Sequence, residues 1–340
     1  MKEAHVAKDI TVQVVDVPVP TINDDQVLIK VVASGSNPKD WKLPYLYEAS
    51  ANTNPGDDIA GIVEQVGKNV FEFKKGDRVA AFHEMTKPGG SFAEYAVAWQ
   101  HTTFHIPHNI SFEEAAAIPL AAMTAVVGLY DRLKLPQPWS PEAKTQEPTP
   151  LIIYGASSAV GIYALQFAQR SNIHPVICVA GQAKDYVRGF IDESKGDIII
   201  DYREGDDAVV AALQKATEGK QCNVFDGVAY GPSVKNLGRV LKKGSHVTYV
   251  LGTALKEEGM PEDVQQSITM VGDVHNEHKD LGYVYFRYIA RGLQEGWFKP
   301  QRTEVVPGGL GGVEYALRRL KEGKASAVKY VFRIADTEGV

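Results

Sequence analysis

Gly155 and Gly161 bracket a small-residue loop between a short apolar run and a helical pattern. The run is Leu151-Ile-Ile-Tyr154. The loop passes through Ala156, Ser157 and Ser158, and Ala159 and Val160 lead into the helix. That order suits an anion. A buried strand delivers the chain to a tight turn, and the N–H groups at the helix start face the anion with the helix dipole behind them. Gly161 has no side chain, so the helix can lie close on its sheet. The spacing, Gly-x-x-x-x-x-Gly, is looser than the strict Gly-x-Gly-x-x-Gly of dinucleotide sites. An ordinary strand-turn-helix connection is therefore the competing reading. Gly155, Ser157, Ser158, Ala159 and Val160 are the candidate diphosphate residues.

The next apolar run, His174 to Ala180, would lie beside the first strand in a βαβ unit. A site for NAD usually carries Asp or Glu at the end of this strand, about 20 residues past the loop, on the ribose hydroxyls. Here the strand ends Ala180-Gly181-Gln182-Ala183-Lys184, without an acid at its tip. A carboxylate would repel a 2′-phosphate, whereas the Lys184 ammonium attracts it. A further run, Asp197 to Asp201, leads to Tyr202, whose hydroxyl can reach the same phosphate. Gln182, Lys184 and Tyr202 thus read as an NADPH site.

These residues need a scaffold, and 340 residues favour two domains over one core. From 151 to about 275, strand-like and helix-like segments alternate: Leu151, His174, Asp197, Asn223 to Val228, Gly244 to Leu251 and Ile268 to Val271. That rhythm predicts a parallel, doubly wound sheet. Residues 1 to about 115 read instead as short strands between turns, including Val27 to Val32, Ile59 to Val66, Arg78 to Phe82 and Ser91 to Val97. Ser111-Phe-Glu-Glu114 has the form of a capping box. Helices are expected over Ala121 to Leu133, about 278 to 295, and Val313 to Glu322. The terminal strands should rejoin the first domain. Residues 134 to 150 hold five prolines and predict an extended loop.

Composition narrows the partners. A net charge of −6 argues against broad nucleic-acid contact. No run of 18 or more apolar residues is present, so no membrane span is expected. The amino-terminal residues show neither a signal core nor an arginine-rich transit pattern, and the two cysteines, Cys178 and Cys222, make no disulfide framework. The expectation is a cytoplasmic protein.

The segment Gly56 to Val79, with Ser91-Phe-Ala-Glu-Tyr95 and Ala115 to Ala125, closely resembles the medium-chain dehydrogenase/reductase superfamily. The phrase Asn37-Pro-Lys-Asp-Trp-Lys42 and the proline-rich insert resemble the fungal trans-acting enoyl reductases and their quinone-oxidoreductase relatives. The resemblance implies an α/β architecture: a Rossmann doubly wound parallel sheet plus a β-rich GroES-like catalytic domain. Its expected boundaries are 1–121 with 298–340 for the catalytic domain and 122–297 for the NADPH-binding one. It also marks a departure. Where zinc-dependent members carry their catalytic ligands, this chain has Asn37, Asp57 and Leu120. An amide, one carboxylate and a leucine make a poor zinc site. His101, His105 and His108 lack an adjacent acid or thiol, and no metal is expected there either.

Without a Lewis acid, simple alcohol oxidation loses its polarising group. Hydride addition to an activated acceptor remains feasible, such as an enone, an enoyl group or a quinone, because hydrogen bonds can hold the resulting anion. The resemblance gives Lys42 a proton-donor role and places Tyr45 and Tyr47 near the family's tyrosine donor. It sets Thr124 against the nicotinamide. Asn37 is a candidate for holding the nicotinamide ribose or a substrate oxygen, Leu251 and Gly252 for meeting the carboxamide, and Val328 and Lys329 for closing over the cofactor. The implied partners are a small-molecule substrate and a polyketide synthase, with the protein a monomer or homodimer. A short-chain dehydrogenase is excluded, since the Tyr130/Lys134 pair precedes the glycine loop. The alternative is a non-catalytic NADPH- or RNA-binding relative of quinone reductases.

Overall fold

A computed structural model of the chain describes residues 1–141, 149–256 and 258–340. They form two units, Met1–Leu120 with Gly272–Val340, and Ala121–Val271. The first unit begins with a hairpin of β1 (Lys2–Val6) and β2 (Val12–Asp16). The long strand β3 (Gln26–Gly35) organises the main sheet of this unit. It pairs antiparallel with β4 (Asp58–Val66) on one side, and β4 carries β5 (Arg78–Phe82). β6 (Tyr95–Trp99) pairs with the start of β3, and β7 (Thr103–His105) closes on β5. Alternate residues Val27, Ile29 and Val31 point into one core with Ile59, Val63 and Val79, as period-two patterning requires. Between β3 and β4 lies helix α1 (Lys39–Leu46).

The capping box forms as expected at helix α2 (Phe112–Ala115). The Ser111 hydroxyl accepts from the Glu114 N–H, and the Glu114 carboxylate accepts from the Ser111 N–H. Helix α3 (Pro119–Val126) comes next and continues through a π-helical stretch, Val127–Arg132. The whole stretch Phe112–Arg132 is long and apolar enough to cross a membrane, a case the count of apolar runs did not register. It is 83% buried within the protein, as a core helix is.

The second unit is a six-stranded parallel sheet. Its strands are β8 (Leu151–Tyr154), β9 (Val176–Ala180), β10 (Ile198–Asp201), β11 (Asn223–Asp226), β12 (His246–Tyr249) and β13 (Gln265–Ile268). Their order is β10-β9-β8-β11-β12-β13, the 3-2-1-4-5-6 arrangement of a doubly wound dinucleotide fold. Helices α4 (Ala159–Arg170), α5 (Lys184–Arg188), α6 (Asp206–Thr217) and α7 (Pro232–Val240) connect the strands. The last strand starts earlier than the sequence suggested, and Val271–His275 is a 3₁₀ turn. Part of the proline-rich stretch, residues 142–148, lies outside the described residues.

The chain then returns to the first unit sooner than expected, at 272 rather than 298. Helix α8 (Lys279–Glu295) is the reason. Its Phe286 stacks on Phe104 of the first unit with ring centroids 5.2 Å apart. Its Arg287 bonds Glu72 and the carbonyls of Gln100 and Thr103. Strand β14 (Thr303–Val305), helix α9 (Val313–Lys321) and strand β15 (Lys329–Arg333) complete the unit. β15 pairs antiparallel with β3, so the terminal strands do rejoin the first sheet.

Candidate active site

In the second unit, β8 ends at Tyr154 and is followed by Gly155, whose φ of +79° is left-handed and suits glycine. Ser158 caps α4, its hydroxyl accepting from the Gly161 N–H at 3.1 Å. A Cβ on Gly161 would fall 2.4 Å from the Gly155 carbonyl oxygen, so the loop and helix meet this closely only with glycine there. The first-turn N–H groups of Ala159 and Val160 are among those a helix leaves without an internal acceptor. These features fit a dinucleotide diphosphate.

At the end of β9, the Tyr202 ring lies on Gly181, where a Cβ would meet the ring at 2.4 Å. Gln182 is exposed beside it. Lys184 differs from the sequence reading in one respect. Its ammonium pairs with Asp201 at 3.2 Å, so an acid does stand at this edge, contributed by β10 instead of β9. Arg203, which sequence reasoning missed, binds the same carboxylate through Nε at 2.9 Å and Nη2 at 2.6 Å. Those bonds hold the Asp201 carboxyl below the usual carboxylate range. Two cations thus share one acid, with the Lys184 and Arg203 side chains 40% and 49% exposed. Leu251 and Gly252 follow β12, with Gly252 exposed. Thr124 is buried on α3.

In the first unit, the positions aligned with metal ligands are wired into buried ionic groups. Asn37 donates from Nδ2 to Asp58 Oδ2 at 2.8 Å, while its Oδ1 accepts from Lys329 Nζ at 2.7 Å. Lys329 Nζ also reaches Asp58 Oδ2 at 2.6 Å. The other Asp58 oxygen accepts from the Leu120 N–H at 2.7 Å, at the start of α3, where a carboxylate complements the helix dipole. The Asn37 amide is thus engaged at both ends, and the Lys329 ammonium is buried in the same network. Val328 next to it packs on the first unit's core.

A second group adjoins the first. The Asn37 N–H donates to Asp40 Oδ2 at 2.7 Å. Lys39 Nζ sits 2.9 Å from Asp40 Oδ1 and 2.5 Å from Asp57 Oδ2. His83 faces Asp57 Oδ1 through Nδ1 at 2.9 Å and the Pro88 carbonyl through Nε2 at 3.2 Å. Both ring nitrogens face acceptors. Burial pushes the Asp40 carboxyl up to about 7, with Lys39 opposing and the Asp57 charge adding. Burial alone would raise Asp57 too, but Lys39 and His83 bring it below its ordinary value. Burial would lower Lys39, and the two carboxylates raise it instead. Lys39, Asp40 and His83 were not singled out from sequence. Lys39 and Asp40 stand inside the Asn37–Lys42 phrase, whereas a solitary His83 gave no signal.

Among the proposed proton donors, Lys42 is half-buried beside the Trp41 ring, 5.7 Å from its centroid. Burial lowers its pKa, which makes its proton easier to give. Tyr45 and Tyr47 are 51% and 58% exposed.

A β-rich unit of this topology and a dinucleotide-type parallel unit in one chain define a medium-chain dehydrogenase/reductase. Residues 23–108 match the alcohol dehydrogenase GroES-like domain. The chain is 45% identical over 309 residues to the trans-enoyl reductase fsr4 of Gibberella fujikuroi, covering 91% of each. It is 34% identical over 224 residues to the chloroplastic quinone-oxidoreductase homolog of Spinacia oleracea, covering 64% of this chain and 63% of that one. An alcohol dehydrogenase superfamily protein from Novosphingobium aromaticivorans shares the fold, with a TM-score of 0.78 at 22% identity, covering 98% and 99% of the two chains. The chain belongs to the trans-enoyl reductase group of the medium-chain dehydrogenase/reductases, oxidoreductase enzymes that take a nicotinamide cofactor.

Proposed function

We propose that the protein is a zinc-independent, NADPH-dependent reductase of an activated C=C bond, in an enone or an enoyl thioester. The observation that carries this reading is the fate of the three ligand-aligned positions. Asn37 and Asp57 are tied to lysines, and Leu120 offers no donor atom. Zinc would need three nitrogen, sulfur or carboxylate donors around one open position, which these residues do not supply. NADPH is favoured over NADH by Lys184 and Arg203, two partly exposed cations around one carboxylate at the end of β9, with Tyr202 beside them.

A bound reduced nicotinamide supplies the hydride. Its addition at the β-carbon of the acceptor moves the C=C electron pair onto the carbonyl oxygen as an enolate, and a proton at the α-carbon completes the saturated product. Lys42 is the proposed source of that proton, with Tyr45 and Tyr47 as alternatives on the same segment. The similarity to trans-enoyl reductases supports an enoyl chain presented by a polyketide synthase as the physiological substrate. Quinone reduction is the second reading, favoured by the similarity to the Spinacia oleracea protein. The test is turnover of NADPH with a panel of enones, enoyl thioesters and quinones, after the preparation has been assayed for metal. Turnover of quinones alone, or turnover that tracks bound zinc, would overturn the proposal.

A further inference from the structure

Burial along α1 follows the helical period. Asp40 and Pro44 are buried, and Trp41, Lys42, Tyr45 and Leu46 fall on the opposite face. Trp41 is part-buried and packs on the core of the first unit, which fixes its ring. Tyr45, Leu46 and the following Tyr47 are exposed, Leu46 to 62%. From α9 the Lys321 ammonium reaches over this face, 5.6 Å from the Trp41 ring centroid and 5.4 Å from that of Tyr45. Lys42 lies over Trp41 as well. All these residues belong to the first unit.

Neither ammonium has a carboxylate partner among the described residues. The acids that neighbour them in the chain are already taken: Glu48 pairs with Lys8 at 3.6 Å, Glu314 with Arg318 at 2.9 Å and Glu322 with Lys324 at 2.7 Å. The face therefore carries a local positive surplus on a chain whose net charge is −6. Its make-up is that of a protein interface, where aromatic side chains are enriched around a desolvated centre. A small anion would meet the ammonium groups and leave Tyr45, Leu46 and Tyr47 in water. An acidic protein surface with apolar side chains among its carboxylates covers both.

We infer that this face docks an acidic protein domain, the one on which a polyketide synthase presents its enoyl chain. Carboxylates of the partner meet Lys321, and its apolar side chains cover Leu46 and Tyr45. The Lys42 charge adds to the attraction at a distance. The inference rests on the reductase reading above and gives it a partner surface. It places the tethered chain beside the proposed proton source, since Lys42 stands one helical turn from Leu46 on the same face. Trp41, held by the core, and the ring contacts of Lys321 keep the surface in one arrangement before the partner arrives.

The test uses the full chain, NADPH and one enoyl group carried on three thiols: N-acetylcysteamine, phosphopantetheine and the acyl carrier domain of a fungal polyketide synthase. The unmodified protein should use the carrier-bound form with a kcat/KM about tenfold or more above that for the N-acetylcysteamine thioester. Added salt should erode this advantage, as it does for charge-steered association. Leu46→Ser and Lys321→Gln in one chain should lower the carrier-bound value about tenfold, the scale of a lost interface anchor. Both positions are exposed, so the melting temperature, NADPH affinity and turnover of the two smaller thioesters should stay as they were. Lys321→Arg, which keeps the charge, should keep most of the carrier-bound activity. Equal use of all three thioesters by the unmodified protein, or an equal loss on all three in the double variant, would overturn the inference while the reductase reading stands. A loss shared by the phosphopantetheine thioester would also overturn it, by making Lys321 a phosphate contact. If the unmodified protein reduces the enoyl group on none of the three, both readings fall together.

Discussion

Lys329 Nζ lies 2.6 Å from Asp58 Oδ2, joining β15 to β4 across 271 residues of sequence. Asn37 bonds both partners, and the backbone of Leu120 takes the remaining carboxylate oxygen. Removing one side of a buried pair strands the other charge. Lys329→Met should therefore destabilise the first unit by roughly 3–5 kcal/mol, read as a lowered urea midpoint. A partner change, Asp58→Asn in the same chain, should recover part of the loss, because the amide can still accept from Leu120 and no charge remains. Equal stability of Lys329→Met and the unmodified protein would show that the network contributes nothing net.

Cofactor choice can be read at the edge of β9. Loss of a charge-assisted bond to a phosphate costs on the order of 1.5–3 kcal/mol. Lys184→Ala and Arg203→Ala should each weaken NADPH binding by about that much and leave NADH binding nearly unchanged. Asp201→Asn should move the other way for NADPH, since it frees both cations. Fluorescence titration with the two dinucleotides checks this, and equal affinity of the unmodified protein for both would refute the assignment.

Much of this was legible from local pattern. The glycine loop, the alternation of strands and helices and the Ser111 capping box depend on residues close in sequence, and all three appear in the structure. The ionic groups were not legible for the opposite reason. Lys329 meets Asp58, and His83 meets Asp57, only after the sheet has formed, and nothing in a surface-like lysine announces a buried partner. Asp201 was read only as the end of its run, because its pairing with Lys184 needs β10 beside β9. The domain return was misplaced because α8 has the amphipathic pattern of any doubly wound helix, while the aromatic stack of Phe286 on Phe104 that fixes its allegiance is a long-range contact.

Acid sensitivity should be traceable to buried histidines. Burial pushes His275 down to about 3, with His101 adding, and pushes His101 down to about 4. His83 and Asp57 also act on His275, while Lys279, Arg287 and Glu84 act on His101. Both rings stay neutral in the folded protein over a range where the unfolded chain, titrating near 6.5, takes up protons. Stability is then lost as pH falls from about 6.5 toward the folded values. Asp40 runs the other way, since its raised value makes the folded protein bind the extra proton between about 4 and 7. Comparing His275→Gln with the unmodified protein cancels that common contribution. The variant should lose roughly 1–3 kcal/mol less between pH 6.5 and 4.5, by urea denaturation at each pH. Identical slopes would mean that His275 does not titrate on unfolding.

The proton donor can be tested by using two classes of acceptor. An enolate needs a proton on carbon, and general-acid help in such steps is worth about 10²–10⁴-fold. Lys42 is the proposed source, since burial beside Trp41 lowers its pKa and its ammonium is in no ion pair described in the structure. Lys42→Ala should lower enone turnover within that range and leave NADPH affinity nearly intact. Quinone turnover should suffer less, because a hydroquinone anion is weakly basic and takes its proton from water. If Lys42→Ala, Tyr45→Phe and Tyr47→Phe all keep full enone turnover, the proton comes from solvent. The carboxyl end of α1 is then only a wall, and quinone reduction becomes the better reading of this site.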